Sequence, residues 1–140
     1  MSKTEGKTMT DVPLIRDYMA RDLTTLTPET EINHAMHLLL ERGFSGAPVL
    51  NEAGWLVGIL SKRDCLKAAL NASYFREWGE TVEDYMTKDM KTLDSEMDIV
   101  EAAKAFIASP YRRFPVLSDG KLVGQVSRTD ILKALSDQWA

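Results

Sequence analysis

The chain has 140 residues, 44% of them hydrophobic, a formal net charge of −4 and a single cysteine, Cys65. That is enough for one domain or two fused halves around an ordinary soluble core, and the acidic balance argues against a nucleic-acid partner, whose phosphates need cationic neutralisation. A lone thiol excludes an internal disulfide and fits a reducing, cytoplasmic setting, and no apolar run approaches the ~18 residues that would span a bilayer, so no membrane association is expected.

Residues 1–11 are polar, lack a signal-peptide core and read as a disordered leader. A short extended piece is expected over 23–26, closed by Pro28. A helix follows: Ile32, Ala35, Met36, Leu39 and Leu40 recur at helical spacing, with Thr30 as predicted N-cap and Gly43 as the stop. Strands are predicted at 47–50 and 55–60, joined by Asn51-Glu52-Ala53-Gly54. A second helix begins after Ser61 and carries Leu66, Ala69 and Leu70, with Cys65 as a small buried or half-buried residue. Residues 71–84 read as a linker, where Tyr74, Phe75 and Trp78 suggest a short helix with one apolar face. The series then recurs. An extended piece at 90–93 precedes a helix through Ile99, Ala102, Ala103, Phe106 and Ile107, ending at Pro110. Strands 114–117 and 122–126 flank Asp119-Gly120, a tight-hairpin signal, and a last helix carries Ile131, Leu132 and Leu135.

The recurrence is a true repeat. Tyr18-Met19 returns as Tyr85-Met86 and Pro48-Val49-Leu50 as Pro115-Val116-Leu117, each 67 residues on. After the shorter second turn the offset is 66: Leu56-Val57-Gly58, Ser61 and Asp64 return as Leu122-Val123-Gly124, Ser127 and Asp130. One β-α-β-β-α unit used twice implies that any site it carries appears twice. The expected domains are 12–70 and 85–140, and Met19 and Met86 should pack equivalently. One such unit cannot cover both its sheet and its helices, so two should pack sheet to sheet. Helix faces left apolar on the outside then predict a homodimer, with Trp78 or Trp139 as candidate contacts.

The chemistry concentrates where a strand runs into a helix. Ser61-Lys62-Arg63-Asp64 and Ser127-Arg128-Thr129-Asp130 each open a helix, whose free N–H groups and dipole favour an anion. Ser61 and Ser127 add hydroxyls, Lys62, Arg63 and Arg128 add positive charge, and Asp64 and Asp130 add carboxylates able to accept from a ribose diol. The same Ser-x-x-Asp spacing is a capping box, in which serine and acid satisfy only their own helix start; both readings stand on sequence alone. Pro48 and Pro115 at strand starts suggest edge positions with free backbone for an adenine. Arg112-Arg113 precede the second proline strand, where the first copy has Ser45-Gly46, so the two sites should be unequal.

Residues 14–138 resemble a tandem pair of CBS domains, the modules named after cystathionine β-synthase. The resemblance rests on Ser-Gly-Ala-Pro-Val at 45–49, Leu-Val-Gly-Ile-Leu-Ser-x-x-Asp at 56–64 and, in the second copy, Arg-Phe-Pro-Val with Leu-Val-Gly-x-Val-Ser-x-x-Asp. It implies an α+β fold of two β-α-β-β-α repeats in pseudo-two-fold pairing, a Bateman module, with an adenosyl ligand (AMP, ADP, ATP or S-adenosylmethionine) in the clefts between them. It further implies that Asp64 and Asp130 take ribose, that Ser61 and Ser127 meet phosphate, and that backbone around Ala47-Pro48 and Phe114-Pro115 meets the base. Thr25 and Thr92 would line the clefts, and Arg113 matches a basic position that contacts phosphate. Gln125 departs from the family's usual apolar residue after the glycine.

The expected function is a non-catalytic sensor that requires no cofactor, binds an adenine nucleotide, forms a homodimer and relays its state to a regulated protein. The alternative is a ligand-free dimerisation module. No nucleophile elbow, Walker loop or Gly-x-Gly-x-x-Gly stretch is present, so an enzyme is not expected. His34, His37 and Glu41 share a helix face but lack a fourth ligand, and read as a solvated polar face rather than a metal site.

Overall fold

The computed structural model describes residues 12–75 and 79–139. Its elements in chain order are α1 (Ile32–Arg42), β1 (Gly46–Leu50), β2 (Leu56–Ser61), α2 (Lys62–Phe75), α3 (Val82–Tyr85), β3 (Leu93–Asp94), α4 (Ile99–Ile107), β4 (Arg113–Ser118), β5 (Lys121–Ser127) and α5 (Arg128–Trp139). The mixed α+β composition and the doubled helix-hairpin-helix order are those expected from the sequence.

The packing units do not follow the order of the repeats. Residues 12–22 pack with 91–139 to form unit 1, and residues 23–90 form unit 2. Each unit therefore takes its lead-in segment from the other copy of the repeat.

In unit 2, β1 and β2 pair antiparallel from Gly46↔Ser61 to Leu50↔Leu56, with an irregularity between Val49 and Leu50. Leu26 adds a parallel bridge at Val49, through Leu26 N–H to Pro48 O and Leu50 N–H to Leu26 O, both 2.9 Å. On the far side of β2, Thr87 and Ile59 exchange backbone hydrogen bonds at 2.8 and 2.9 Å. Ile32, Ala35, Leu39, Val49, Leu60, Cys65, Ala68 and Val82 close the core. Helix α1 ends at Gly43, whose N–H reaches the Leu39 and Leu40 carbonyls.

Unit 1 repeats this plan. The strand order is β3-β4-β5, with Leu93↔Val116 parallel and Arg113↔Ser127 opening the antiparallel pair. Its irregularity lies between Val116 and Leu117, the same place in the repeat. Asp119 and Gly120 both have positive φ, 51° and 81°, the conformation a two-residue primed hairpin turn requires. Ala20 and Gln125 exchange the backbone bonds that Thr87 and Ile59 exchange in unit 2. The core gathers Ile15, Met19, Ile99, Phe106, Phe114, Val116, Val126 and Ile131, with Phe106 and Phe114 rings 4.8 Å apart.

Met19 and Met86 do pack equivalently, each in the unit opposite its own repeat. A Cβ placed at Gly124 would sit 2.6 Å from Met19 Sδ and 2.7 Å from Ala20 O; one at Gly58 would sit 2.6 Å from Met86 Sδ and 3.1 Å from Thr87 O. Only glycine lets the lead-in segment lie this close to the strand.

Three local expectations are corrected, and the faces of two helices are specified. The N-cap of α1 is Glu31, without a side-chain cap, because Thr30 Oγ1 turns to Thr27 Oγ1 at 2.8 Å. In α2 and α5 the buried face is Cys65-Ala68-Ala72 and Ile131-Ala134, while Leu66 and Leu132 stand 69% and 68% exposed. Pro48 and Pro115 do not lie on edges: β1 has Leu26 on one side and β2 on the other, and β4 is the middle strand of three. Proline is tolerated in β1 because residue 48 joins the Leu26 bridge through its carbonyl, while the N–H that the bridge needs comes from Leu50. Helix α2 runs on to Phe75 with Tyr74 and Phe75 exposed, so no separate aromatic helix starts at Tyr74; Trp78 lies outside the described residues.

Gly124→Ala should destabilise the protein by about 1–3 kcal/mol. Gly58→Ala should cost less, because the rigid carbonyl it meets is 3.1 Å away rather than 2.7 Å. Urea unfolding midpoints of the two variants check this order.

Candidate functional site

The two strand-to-helix junctions are built alike. In unit 2, Asp64 Oδ2 accepts from Ser61 N–H at 2.8 Å and from Ser61 Oγ–H at 2.9 Å, and Ser61 Oγ accepts from Asp64 N–H at 3.1 Å. In unit 1, Asp130 Oδ2 accepts from Ser127 N–H at 2.8 Å and Ser127 Oγ accepts from Asp130 N–H at 3.1 Å. The reciprocal capping box is thus closed in both copies. Each carboxylate spends one oxygen on it. The other, Oδ1, receives no hydrogen bond from the described residues. Asp64 is 5% exposed and Asp130 is half-buried, so the unused oxygen of Asp130 is the more accessible one. The box does not consume the acceptor a ribose would need; it fixes the carboxylate's orientation.

The basic residues divide. Arg113 stands directly opposite Ser127 in the β4–β5 register, where unit 2 sets Gly46 opposite Ser61. Arg112 and Arg113 are exposed and neither side chain has a hydrogen bond or ion pair among the described residues, so both are free for an anion. Arg63 is exposed one position into α2. Arg128 is not a free cation: its Nε–H donates to Tyr111 O at 3.1 Å and Nη2 to Ser109 O at 3.5 Å. The Ser109 and Tyr111 carbonyls of the turn before β4 hold its guanidinium through Nε and Nη2. Lys62, its counterpart, borders the apolar groove between α1 and α2.

The expected base-binding backbone is also partly committed. Pro48 O accepts from Leu26 N–H, Ala47 lies opposite Leu60, and Phe114 and Pro115 lie opposite Val126 and Gln125. Thr25 is exposed one residue before the Leu26 bridge, and Thr92 is half-buried one residue before β3. Tyr111 and Ser109 bear no sequence motif, yet they support the turn that carries the arginine pair. The one available signal was the Arg128 cation itself, whose carbonyl partners a sequence does not display.

Elsewhere, His34, His37 and Glu41 are exposed, and no three-residue cluster fit for a metal exists among the described residues. Burial pushes the Cys65 thiol up from its ordinary value, with the charge of Asp64 adding to the effect. Each unit leaves an apolar groove between its helices, about 410 Å³ at α4/α5 and about 180 Å³ at α1/α2. Equivalent residues flank the two grooves: Leu40 and Leu66 in unit 2, Ile107 and Leu132 in unit 1, with Ile107 87% exposed. No helix of the described residues is long and apolar enough to cross a membrane.

Comparison with known proteins matches a family model for the CBS domain twice, over residues 15–71 and 82–137. Among solved structures, Arabidopsis thaliana CBSX2, crystallised in complex with AMP, superposes with a TM-score of 0.78 at 28% identity, covering 91% of this chain and 98% of that one. The Methanocaldococcus jannaschii protein MJ1225 is 29% identical over 126 residues, 90% of this chain and 44% of its own length. Inosine-5'-monophosphate dehydrogenase of Korarchaeum cryptofilum is 35% identical over 125 residues, 88% of this chain and 24% of its own length. The chain thus spans less than half of either of these two sequence relatives.

Two outcomes follow from the junctions. Asp64→Ala and Asp130→Ala should each lower unfolding free energy by about 1 kcal/mol through the lost cap, with Asp64 the costlier because its carboxylate holds one more hydrogen bond; chemical denaturation measures both. Cys65 should react slowly with a thiol reagent in the folded protein and at the free-thiol rate once unfolded, read by absorbance during alkylation or disulfide exchange.

Proposed function

The chain belongs to the CBS domain family, and from that premise we propose that it is a non-catalytic sensor of adenosyl ligands, AMP among them. The observation that carries the reading is the unused carboxylate oxygen at each of two equivalent helix starts, held in place by its own capping box. A relative 28% identical over 91% of this chain crystallised with AMP supports the choice of ligand class.

In this reading the free oxygens of Asp64 and Asp130 accept from ribose hydroxyls. Ser61 and Ser127, with the N–H groups behind them, face the phosphate end. Arg112 and Arg113 add the positive charge in unit 1. The base lies along the Ala47-Pro48 and Phe114-Pro115 stretches, with Thr25 and Thr92 at the lead-in. A second copy of the chain covers the exposed leucine and isoleucine of the helix grooves, giving a homodimer in the cytoplasm. Ligand binding shifts the population of shapes that a regulated protein reads, to the extent that the shapes differ in affinity. No required cofactor enters this scheme.

The closed capping boxes also favour a second reading, a ligand-free dimerisation module in which serine and aspartate do nothing but cap. Calorimetric titration with AMP, ADP, ATP and S-adenosylmethionine separates the two. Asp130→Asn keeps a cap acceptor but turns a donor or a neutral oxygen to the ribose, and should weaken binding by about tenfold, as expected for a hydrogen bond to a charged group. A ligand at 100 times its Kd should add about 2.7 kcal/mol to the unfolding free energy. No heat and no stabilisation with any of the four would leave only the capping module.

A further inference from the structure

One residue grips the turn that leads into β4, and its counterpart in unit 2 does not. The backbone N–H of Arg128 donates to Arg112 O at 3.0 Å, its Nε–H to Tyr111 O at 3.1 Å and its Nη2 to Ser109 O at 3.5 Å. Three carbonyls of a single turn converge on it. From the other side, the Tyr111 ring packs edge-on against Phe114, with centroids 5.6 Å apart at 68°. In unit 2 the equivalent Lys62 keeps, among the described residues, only the backbone bond, to Ser45 O at 2.9 Å. A lysine ammonium lacks the planar fork that lets one side chain serve two carbonyls in fixed directions.

The difference in grip coincides with a difference in cargo. The clamped turn ends in Arg112-Arg113, and the unclamped one ends in Ser45-Gly46. Arg113 is set opposite Ser127 by strand register. An exposed arginine on a loose turn must surrender backbone and rotamer freedom when it meets an anion. A turn already held by Arg128 and Tyr111 has lost the backbone part beforehand.

We propose that Arg128 is a positioning residue that fixes the Arg112–Arg113 pair beside the unit 1 helix start, making unit 1 more selective for a phosphorylated adenosyl ligand than unit 2. The proposal rests on the adenosyl reading above. It gives Arg128 no contact with the ligand; its effect passes through the turn.

Amide NMR titrations with adenosine and with AMP test it, since the two ligands differ only in the phosphate. The Ser127 and Asp130 amides report unit 1 and the Ser61 and Asp64 amides report unit 2. In the wild type, unit 1 should prefer AMP over adenosine more strongly than unit 2 does. Arg128→Lys should cut the unit 1 preference by about fivefold while leaving adenosine affinity unchanged. Tyr111→Ala, which loosens the same turn from its other face, should act in the same direction. In an Arg112→Ala/Arg113→Ala background, Arg128→Lys should produce no further loss. An unchanged AMP preference in Arg128→Lys overturns the proposal, as does an equal loss for adenosine and AMP. A full loss in the double-alanine background would instead make Arg128 a direct phosphate contact. If adenosine moves no amide in the wild type, the adenosyl reading itself fails, and this proposal with it.

Discussion

The fold turns on two glycines in the hairpins, each with a methionine lying over it. Gly124 and Gly58 leave room for the thioethers of Met19 and Met86, and in that room the adjoining chain forms the backbone pairs Ala20–Gln125 and Thr87–Ile59. Those pairs satisfy the outer edges of β5 and β2, which would otherwise present unpaired N–H and C=O groups. The contacts are also long in sequence. Met19 reaches a strand more than a hundred residues later, so loop closure must precede much of the packing in unit 1.

The same sheets set the candidate site. Strand register places Arg113 against Ser127 and Gly46 against Ser61, so the charge beside the Ser-x-x-Asp box comes from the strand in unit 1 and, through Lys62 and Arg63, from the helix in unit 2. The capping boxes serve both accounts of the chain. They hold the carboxylates in one rotamer, and by using Oδ2 they determine which oxygen is left to meet anything else.

Much of this was legible in the residues. The repeat, the two hairpins, the Asp119-Gly120 turn, the Gly43 stop and the buried Cys65 follow from short-range chemistry, and the structure contains them. What periodicity could not supply was direction. Leu66 and Leu132 are large and apolar, yet the neighbouring positions Cys65 and Ile131, with Ala68 and Ala134 one turn on, take the buried side. Prolines read as edge markers because a missing N–H is usually harmless only there; here Pro48 lies inside a sheet and meets its neighbour Leu26 through its carbonyl, the N–H being supplied by Leu50. The hold of Arg128 on the turn before β4 was hidden because charge is visible in a sequence and carbonyl partners are not. The exchange of lead-in segments was the least legible of all, since Tyr18-Met19 and Tyr85-Met86 are nearly interchangeable and neither names the hairpin it will cover.

That exchange has a consequence for how the chain divides. Unit 2 is continuous, whereas unit 1 is interrupted by it, so one half is nested inside the other like a parenthesis in a sentence. Cutting between the two copies of the motif would strip each half of a strand-covering segment, while cutting at the ends of the nested half would leave both with their own covers. The boundary that inheritance by duplication drew and the boundary that cohesion draws are therefore different lines.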